Sequence, residues 1–478
     1  MKYIAVDVGS SFIKSVLLDM ETFSIMGRKK VPAPAKLPSP DSKIFEIPAD
    51  SFVSIVMDTI DSFTAKYRDI VGVVFCTQMH GFVYATQCKA NKYVSWQDMR
   101  CLNMASEKSE NYMDLLRKKF SYEEMKCCGV YIKPSLGMCN LWTLFQTENL
   151  TRNGELYTLG SYILSKLTGK NTCHPQNAAP LGFFNVLESK WDYRIIKDCG
   201  FQDLRLPAIA QDDFKPVGEL LSNGLTLTVF PDYGDQQSSV LGSMADYGDA
   251  VINISTGAQV VVPTRTFAAS IEYETRPYFE GTFIKTISNM PGGRGLDVLV
   301  NFLRTAVQEI TGDKVPVENV WNAVHKSFKP EANGIRVDTC FYPVPGNLGG
   351  GKIQGILPSN LNLSSLFAAA FLDMGLTYYE NIMKITADNS IDRIICAGGV
   401  SWKTPELLKT IEDVFRIKEE ASDGEFQKKP NTTKQKTKCL LSAIEDEALC
   451  GLFRSALVCS GKYKKIQDTI ACVEGLDK

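Results

Sequence analysis

The chain has 478 residues, 44% of them hydrophobic and 22% charged, the make-up of a folded globular protein; at roughly 150 residues per domain it predicts two to three domains. Lys and Arg number 52 against 54 Asp and Glu, a net charge of −2. That balance excludes a polyanion binder, which needs a basic surplus on at least one face, so no nucleic-acid partner is expected.

No uninterrupted apolar run approaches the ~18 residues that cross a bilayer, so no membrane partner is expected either. The opening MKYIAVDVGSS lacks a signal-peptide core, because its apolar run stops at Asp7; the expected compartment is the cytoplasm. The 14 cysteines are scattered without a Cys-x-x-Cys and are expected to be buried free thiols. The three histidines, at 80, 174 and 325, are too sparse for a structural zinc site.

In chain order, Tyr3 to Val6 reads as a strand, Gly9-Ser10-Ser11 as a turn, and Ile13 to Leu18 as a second strand. A third strand is predicted around Ser24 to Val31, and Pro32 to Pro40 is a loop. Apolar positions Phe52, Ile55, Val56, Ile60 and Phe63 recur at helical spacing, which predicts a helix over Asp50 to Tyr67. A buried strand follows from Ile70 to Cys76. The same opening recurs mid-chain. Asp249 to Ile254 reads as a strand, Ser255-Thr256-Gly257 as a turn, and Gln259 to Val262 as a strand. Helices are predicted over 295–311, 363–387 and 405–415, with a buried strand from Ile391 to Ala397 between the last two. Polar, Lys-rich Lys418 to Lys438 reads as a solvated loop. Strands alternating with helices indicate an α/β architecture, and the repeated opening predicts two similar domains, 1–245 and 246–478.

Five segments carry candidate chemistry. The two small-residue turns offer backbone N–H groups and hydroxyls, which suits a phosphate and equally suits an ordinary hairpin. Lys14 stands near the first turn. Asp7 ends the strand before it, where a carboxylate holds a hydrated magnesium ion or caps the turn. Gly398-Gly399-Val400-Ser401 follows a buried strand, and its glycines let a flat ligand approach the backbone. Gln78-Met79-His80-Gly81 stands at a strand's carboxyl end, where α/β proteins bind ligands. Trp96, Asp98 and Arg100 suit a polyhydroxylated ligand, with an Asp98–Arg100 ion pair as the structural alternative. Asp235 opens a predicted helix, where it serves as an N-cap or as a general base.

In their order along the chain these residues resemble the FGGY carbohydrate kinase family of the actin/hexokinase-like superfamily. Asp7-Val8-Gly9-Ser10-Ser11-Phe12-Ile13-Lys14 is similar to its first phosphate motif, and Gln78-Met79-His80-Gly81 to the sugar motif of its pentulose and heptulose members. Gly234-Asp235 falls where the family keeps its catalytic Asp. Asn253-Ile254-Ser255-Thr256-Gly257 resembles the second phosphate motif, Ala397 to Ser401 the adenosine motif, and Asp446 to Gly451 the closing helix. Two actin/hexokinase-like (ribonuclease H-like) α/β domains with a cleft between them are thereby implied, the first binding sugar and the second nucleotide.

The implied reaction is ATP-dependent phosphorylation of a terminal ketose hydroxyl. Sedoheptulose is the expected acceptor, on the similarity of Trp96-Gln97-Asp98 with Arg100, and of Gln176-Asn177-Ala178-Ala179, to heptulose kinases. A pentulose such as xylulose is the alternative, and a non-catalytic sugar sensor is the reading from another class. The resemblance implies Asp235 as the catalytic base and Gln78, Met79, His80, Trp96, Asp98 and Arg100 as sugar-binding. It implies Gly9, Ser10, Ser11, Lys14, Thr256, Gly257, Gly398, Gly399 and Ser401 around ATP, and Asp7 with Asp235 around Mg2+. Two departures stand out: Met99 replaces the usual Gly of the Trp-Gln-Asp stretch, and serines replace the commoner Thr-Thr of the first turn.

Overall fold

The computed structural model describes residues 1–86, 91–105, 110–148, 150–342, 349–386, 391–425 and 437–473. The chain divides into two compact units. One comprises Met1–Met244, Arg265–Ile284 and Asp446–Lys478; the other comprises Ala245–Thr264 and Lys285–Glu445. The first stretch thus ends at Met244, next to the expected boundary, while 265–284 and 446–473 pack with the N-terminal half.

In the first unit β1 (Lys2–Val8), β2 (Phe12–Asp19), β3 (Ser24–Pro32), α1 (Ala49–Thr64), β4 (Ile70–Thr77), β5 (Gly218–Ser222) and β6 (Leu225–Gly234) build a six-stranded sheet of order β5-β6-β4-β1-β2-β3. β1 runs antiparallel to β2 and parallel to β4, which is itself parallel to β6. β1 is buried from Tyr3 onward, its apolar Tyr3 to Val6 and Val8 interrupted only by buried Asp7. β3 is an edge strand whose Arg28, Lys29 and Lys30 discourage pairing with another chain. α1 buries Phe52, Val56, Ile60 and Phe63 against this sheet, together with Ile163 and Leu167 of the helix Leu159–Thr168. A second cluster, including Leu136, Met138, Phe183 and Phe184, forms a separate core within residues 82–204. After β6 the chain enters α2 (Asp235–Gly242).

The second unit repeats the scheme. β7 (Asp249–Ile254) and β8 (Ala258–Thr264) form the antiparallel hairpin, followed by β9 (Phe283–Met290), α3 (Gly293–Thr311), α4 (Leu363–Ile385), β10 (Arg393–Ala397), α5 (Pro405–Glu425) and β11 (Lys438–Leu441). Five strands of a six-stranded sheet run β9-β8-β7-β10-β11, with β7 parallel to β10 and β10 parallel to β11. That matches β3-β2-β1-β4-β6 strand for strand, so the repeated opening in the sequence marks a repeated fold. α5 runs ten residues beyond the expected end at Phe415. The Lys-rich stretch is therefore helical through Glu425, and its residues 426–436 lie outside the described residues.

The chain closes in the first unit with α6 (Glu447–Cys459), which crosses α2 at van der Waals distance. A Cβ on Gly242 would sit 1.8 Å from the Glu447 carbonyl oxygen, and one on Gly451 1.9 Å from that of Ser238. Glycine alone fits both positions. The 13 described cysteines are all free thiols, as expected, but Cys127, Cys340, Cys439, Cys459 and Cys472 are only partly buried; Cys88 lies outside the described residues.

Candidate active site

Three parallel strands, β1, β4 and β6, lie side by side with their registers aligned. Asp7 is opposite Cys76 and Cys76 opposite Tyr233; Val8 is opposite Thr77 and Thr77 opposite Gly234. Asp7, Gln78 and Asp235 therefore stand at adjacent carboxyl ends, the position where α/β sheets present ligand groups. The N-cap of α2 is Gly234, with no side-chain cap, and Asp235 is the first helical residue. Asp235 is thus not the N-cap; its Oδ1 accepts the Gln236 N–H at 2.8 Å.

Burial, and next the charge of Asp7, push the Asp235 carboxyl up to about 7. Burial likewise raises Asp7 to about 6, against the opposing pull of Lys14. Cys76 Sγ donates to Asp7 Oδ1 at 3.5 Å. Two carboxyls at adjacent strand ends, Asp7 and Asp235, offer the oxygen donors that Mg2+ takes, one or two carboxylates beside phosphate oxygens. The donor set fits that ion. Lys14, expected beside phosphate, pairs with Asp446 ahead of α6. Gly9 is half-buried, and Ser10 and Ser11 are exposed, so the first turn is open to a ligand.

The sugar-motif residues divide. Gln78 is 3% exposed; its Nε2 donates to the Gly9 carbonyl at 3.4 Å, while its Oε1 is buried with no hydrogen bond. Met79 is buried, and its sulfur lies 2.9 Å from where a Cβ on Gly234 would stand, so it packs under the strand end. His80 has φ 69°, a left-handed conformation that turns the chain sharply after β4. Its Nε2 accepts from Arg276 Nη2 at 3.0 Å. The same guanidinium donates from Nη1 to Gln236 Oε1 at 2.7 Å and from Nε to Glu274 Oε2 at 3.0 Å. Lys133 Nζ lies 2.6 Å from Glu274 Oε1. Burial opposes charge on Glu274, yet Lys133 and Arg276 outweigh it and hold the carboxyl down to about 2.

Lys133, Glu274, Arg276 and Gln236, none of them singled out in the sequence, thus join His80 to the residue following Asp235. Charged residues this buried are rare unless paired, and only the fold brings positions 80, 133, 236, 274 and 276 together. The arrangement supplies a raised carboxyl able to take a proton, beside buried polar groups able to orient an acceptor.

Asp98 and Arg100 form a closed ion pair. Arg100 donates from Nε and Nη2 to the two Asp98 oxygens, each at 2.8 Å, and from Nη2 to Glu46 at 2.7 Å. Asp98 also accepts the backbone N–H of Phe45 and of Arg100. With its carboxylate used by the protein, Asp98 has the structural place that the sequence left as the alternative, and Arg100 shares it. Trp96 and Met99 are half-buried next to this pair in sequence. Gln176 and Asn177 brace β6: Gln176 Oε1 accepts the Gly234 N–H at 3.0 Å, and Asn177 Nδ2 donates to buried Asp232 at 2.9 Å. Elsewhere Cys127 Sγ donates to Asp192 Oδ2 at 3.4 Å; the other oxygen of Asp192 caps the helix Tyr193–Asp198, which leaves a hydrogen-bonded group rather than an open ligand set.

In the second unit Thr256 and Gly257 are exposed at the β7–β8 turn. The first turn of α3 pins that turn, with Gly293 N donating to the Ser255 carbonyl at 2.8 Å and Arg294 N to that of Thr256 at 2.9 Å. Gly398, at φ 85°, leaves no room for a Cβ, which would lie 2.6 Å from the Ile254 carbonyl oxygen. Gly399 has open space around it. Ser401 does not fit its expected place beside ATP. It is fully buried, and its hydroxyl donates to the Ala397 carbonyl at 2.7 Å.

A family model described as the FGGY family of carbohydrate kinases, N-terminal domain, matches residues 2–242, just over half of the chain. The chain belongs to the FGGY family of carbohydrate kinases. It is accordingly an ATP-dependent carbohydrate kinase, a transferase. Among curated proteins it is 24% identical over 349 residues to sedoheptulokinase of Homo sapiens, covering 64% of this chain and 69% of the relative. It is 26% identical over 258 residues to sedoheptulokinase of Mus musculus, a match that spans about half of each chain. Among solved structures, a ligand-bound xylulose kinase from Lactobacillus acidophilus superposes with a TM-score of 0.80 at 14% identity, over 98% of this chain and 91% of that one. Glycerol kinase of Plasmodium falciparum with ADP gives 0.78 at 14%, over 100% and 93%. The two-domain actin/hexokinase-like fold of these kinases is the fold of this one.

Proposed function

We propose that this kinase phosphorylates the terminal hydroxyl of a ketose, and that sedoheptulose, giving sedoheptulose 7-phosphate, is its preferred acceptor. The observation that carries this reading is the Asp235 carboxyl raised to about 7 at the strand ends, joined through Gln236 and Arg276 to His80 of the sugar motif. The similarity to two sedoheptulokinases supports the heptulose.

Asp235 is the general base. It takes the proton of the terminal hydroxyl as that oxygen attacks the γ-phosphorus in line, and the bond from the γ-phosphorus to the bridging oxygen breaks to release ADP. Gln78 and His80 hold the acceptor, with Trp96 and Met79 as apolar walls. The N–H groups and hydroxyls of the Gly9–Ser11 and Thr256–Gly257 turns bind phosphate oxygens, and Gly398 and Gly399 let the nucleotide lie against the backbone. Asp7 and Asp235 would hold Mg2+, which supplies charge neutralisation on the phosphates. Lys14, held by Asp446, adds positive charge beside the first turn. The enzyme works in the cytoplasm on ATP and free sugar; no helix among the described residues is long and apolar enough to cross a membrane.

A coupled ADP-release assay across sedoheptulose, xylulose, ribulose and fructose tests the reading. Sedoheptulose is expected to give the highest kcat/KM. A higher value for xylulose would make it a pentulose kinase, and no turnover with any ketose would sink the proposal.

The nucleotide side has its own test. A Cβ on Gly257 would meet nothing nearer than the Met290 carbonyl oxygen at 3.8 Å. Gly257→Val is therefore expected to fold and to weaken ATP binding, while ketose binding is retained. Unchanged ATP affinity by calorimetry would remove the second turn from the phosphate site.

A further inference from the structure

A guanidinium carries donors only, whereas a neutral imidazole has one donor and one acceptor nitrogen. Arg276 Nη2 lies 3.0 Å from His80 Nε2. Nε2 must then be the acceptor, and the ring's single proton must sit on Nδ1. An imidazolium would set one N–H against another. The charged groups facing this ring are Arg276, Lys133 and Glu274. Their formal charges sum to +1, since Glu274 answers only one of the two cations. Burial first, and then Arg276 and Lys133, hold His80 well below the usual histidine range. Nδ1 is buried without a close, well-aligned hydrogen bond, and the Ser135 backbone lies beside the ring, where it favours a proton on that nitrogen.

We propose that Arg276 is a positioning residue of the acceptor site: it locks His80 as the neutral, Nδ1-protonated imidazole, so that His80 acts toward the sugar as a hydrogen-bond donor and reads a carbonyl or hydroxyl oxygen. This rests on the ketose kinase reading for the identity of the oxygen. The same guanidinium grips Gln236 through Nη1 at 2.7 Å. One side chain therefore sets the direction of His80 and of the residue next to the base, which ties acceptor orientation to base position. Glu274 and Lys133 keep the guanidinium in place, with Glu274 accepting from Arg276 Nε at 3.0 Å and meeting Lys133 Nζ at 2.6 Å.

Because the chain has only three histidines, long-range 15N–1H spectra of the full-length, 15N-histidine-labelled protein can be assigned with one variant, His80→Gln. In the ligand-free wild type, His80 is expected to be neutral and Nδ1-protonated, without change from pH 6 to pH 8. In Arg276→Gln its ring is expected to titrate inside that window or to move its proton to Nε2. The ketose kcat/KM of this variant should fall about 10–100-fold while the KM for ATP stays within about twofold. Arg276→Lys can donate to His80 or to Gln236 but not to both, and should recover part of the loss. Should Arg276→Gln fail to fold, the wild-type spectrum and Arg276→Lys still decide. An Nε2-protonated or charged His80 in the wild type would overturn the proposal, and so would an Arg276→Gln spectrum identical to wild type. A wild type silent on every ketose would sink the substrate reading instead, whatever the spectrum shows.

Discussion

Asp235→Asn is expected to lower kcat by about 10²–10⁴-fold and, at the same time, to make the protein harder to unfold at alkaline pH. Both effects come from one carboxyl. Asparagine cannot take the hydroxyl proton, so the chemical step loses its base. In the folded protein the Asp235 carboxyl is raised from its ordinary 3.8 to about 7, first by burial and then by Asp7. Between those values the folded state holds a proton that the unfolded state has released. Stability therefore falls as pH climbs from about 4 through about 7, and the full cost is present above that. Asparagine carries no charge and removes the cost. The gain should be about 1–2 kcal/mol at pH 8, less than the displacement alone would give because the carboxyl keeps some contact with solvent. It should vanish near pH 4. Thermal melts at the two pH values, beside steady-state kinetics, check both halves. A variant that keeps half of the wild-type kcat, or that melts lower at pH 8, contradicts the assignment. The wild type has a matching signature: its kcat/KM should rise with pH toward about 7, because only the ionised carboxylate is a base.

The hairpin openings of both units were legible because β-branched runs stop at Gly and Ser turns, and a strand-turn-strand pattern is a local property of the chain. The same holds for the strand that delivers Gln78 and for the helix that begins at Asp235. Non-local facts were not legible. Nothing near Asp446 says that α6 packs on α2 of the first unit; that contact depends on Gly242 meeting Glu447 and Gly451 meeting Ser238, more than 200 residues apart. Arg276 and Lys133 belong to no pattern in the sequence, and only the fold places Glu274 between them. Ser401 is expected beside ATP from the resemblance of Ala397 to Ser401 to an adenosine motif, but its place in the helix after Gly398 turns its hydroxyl back on the Ala397 carbonyl. One miss was avoidable. Lys409 with Glu412 and Asp413, and Arg416 with Asp413 and Glu420, are spaced three and four apart, the pattern of a solvated helix face. That spacing carries α5 toward residues 418–425, where high polarity alone suggested a loop.

Asp98→Ala should unfold the protein more readily by about 3–5 kcal/mol, a loss of stability rather than of specificity. Asp98 is 0% exposed and Arg100 4%. Removing the carboxylate strands a buried guanidinium with Glu46 as its remaining acid partner, and Glu46 is already engaged by Lys92 at 2.6 Å. It also frees the Phe45 N–H, which Asp98 Oδ2 accepts at 2.7 Å. Each unpaired donor in a dry site adds to the cost. Leaving a charge unpaired costs more than a well-made pair gains, so Asp98→Ala should be worse than the double variant Asp98→Ala/Arg100→Met, which removes the charge along with its partner. Denaturant melts of the two variants make the comparison. Where both are folded, the KM for ATP should match wild type, and the ketose KM should move only as far as the loop from Ser95 to Leu102 loosens. An Asp98→Ala variant with a wild-type melt and a ketose KM raised tenfold or more would return Asp98 to the sugar site and leave Arg100 in need of another partner.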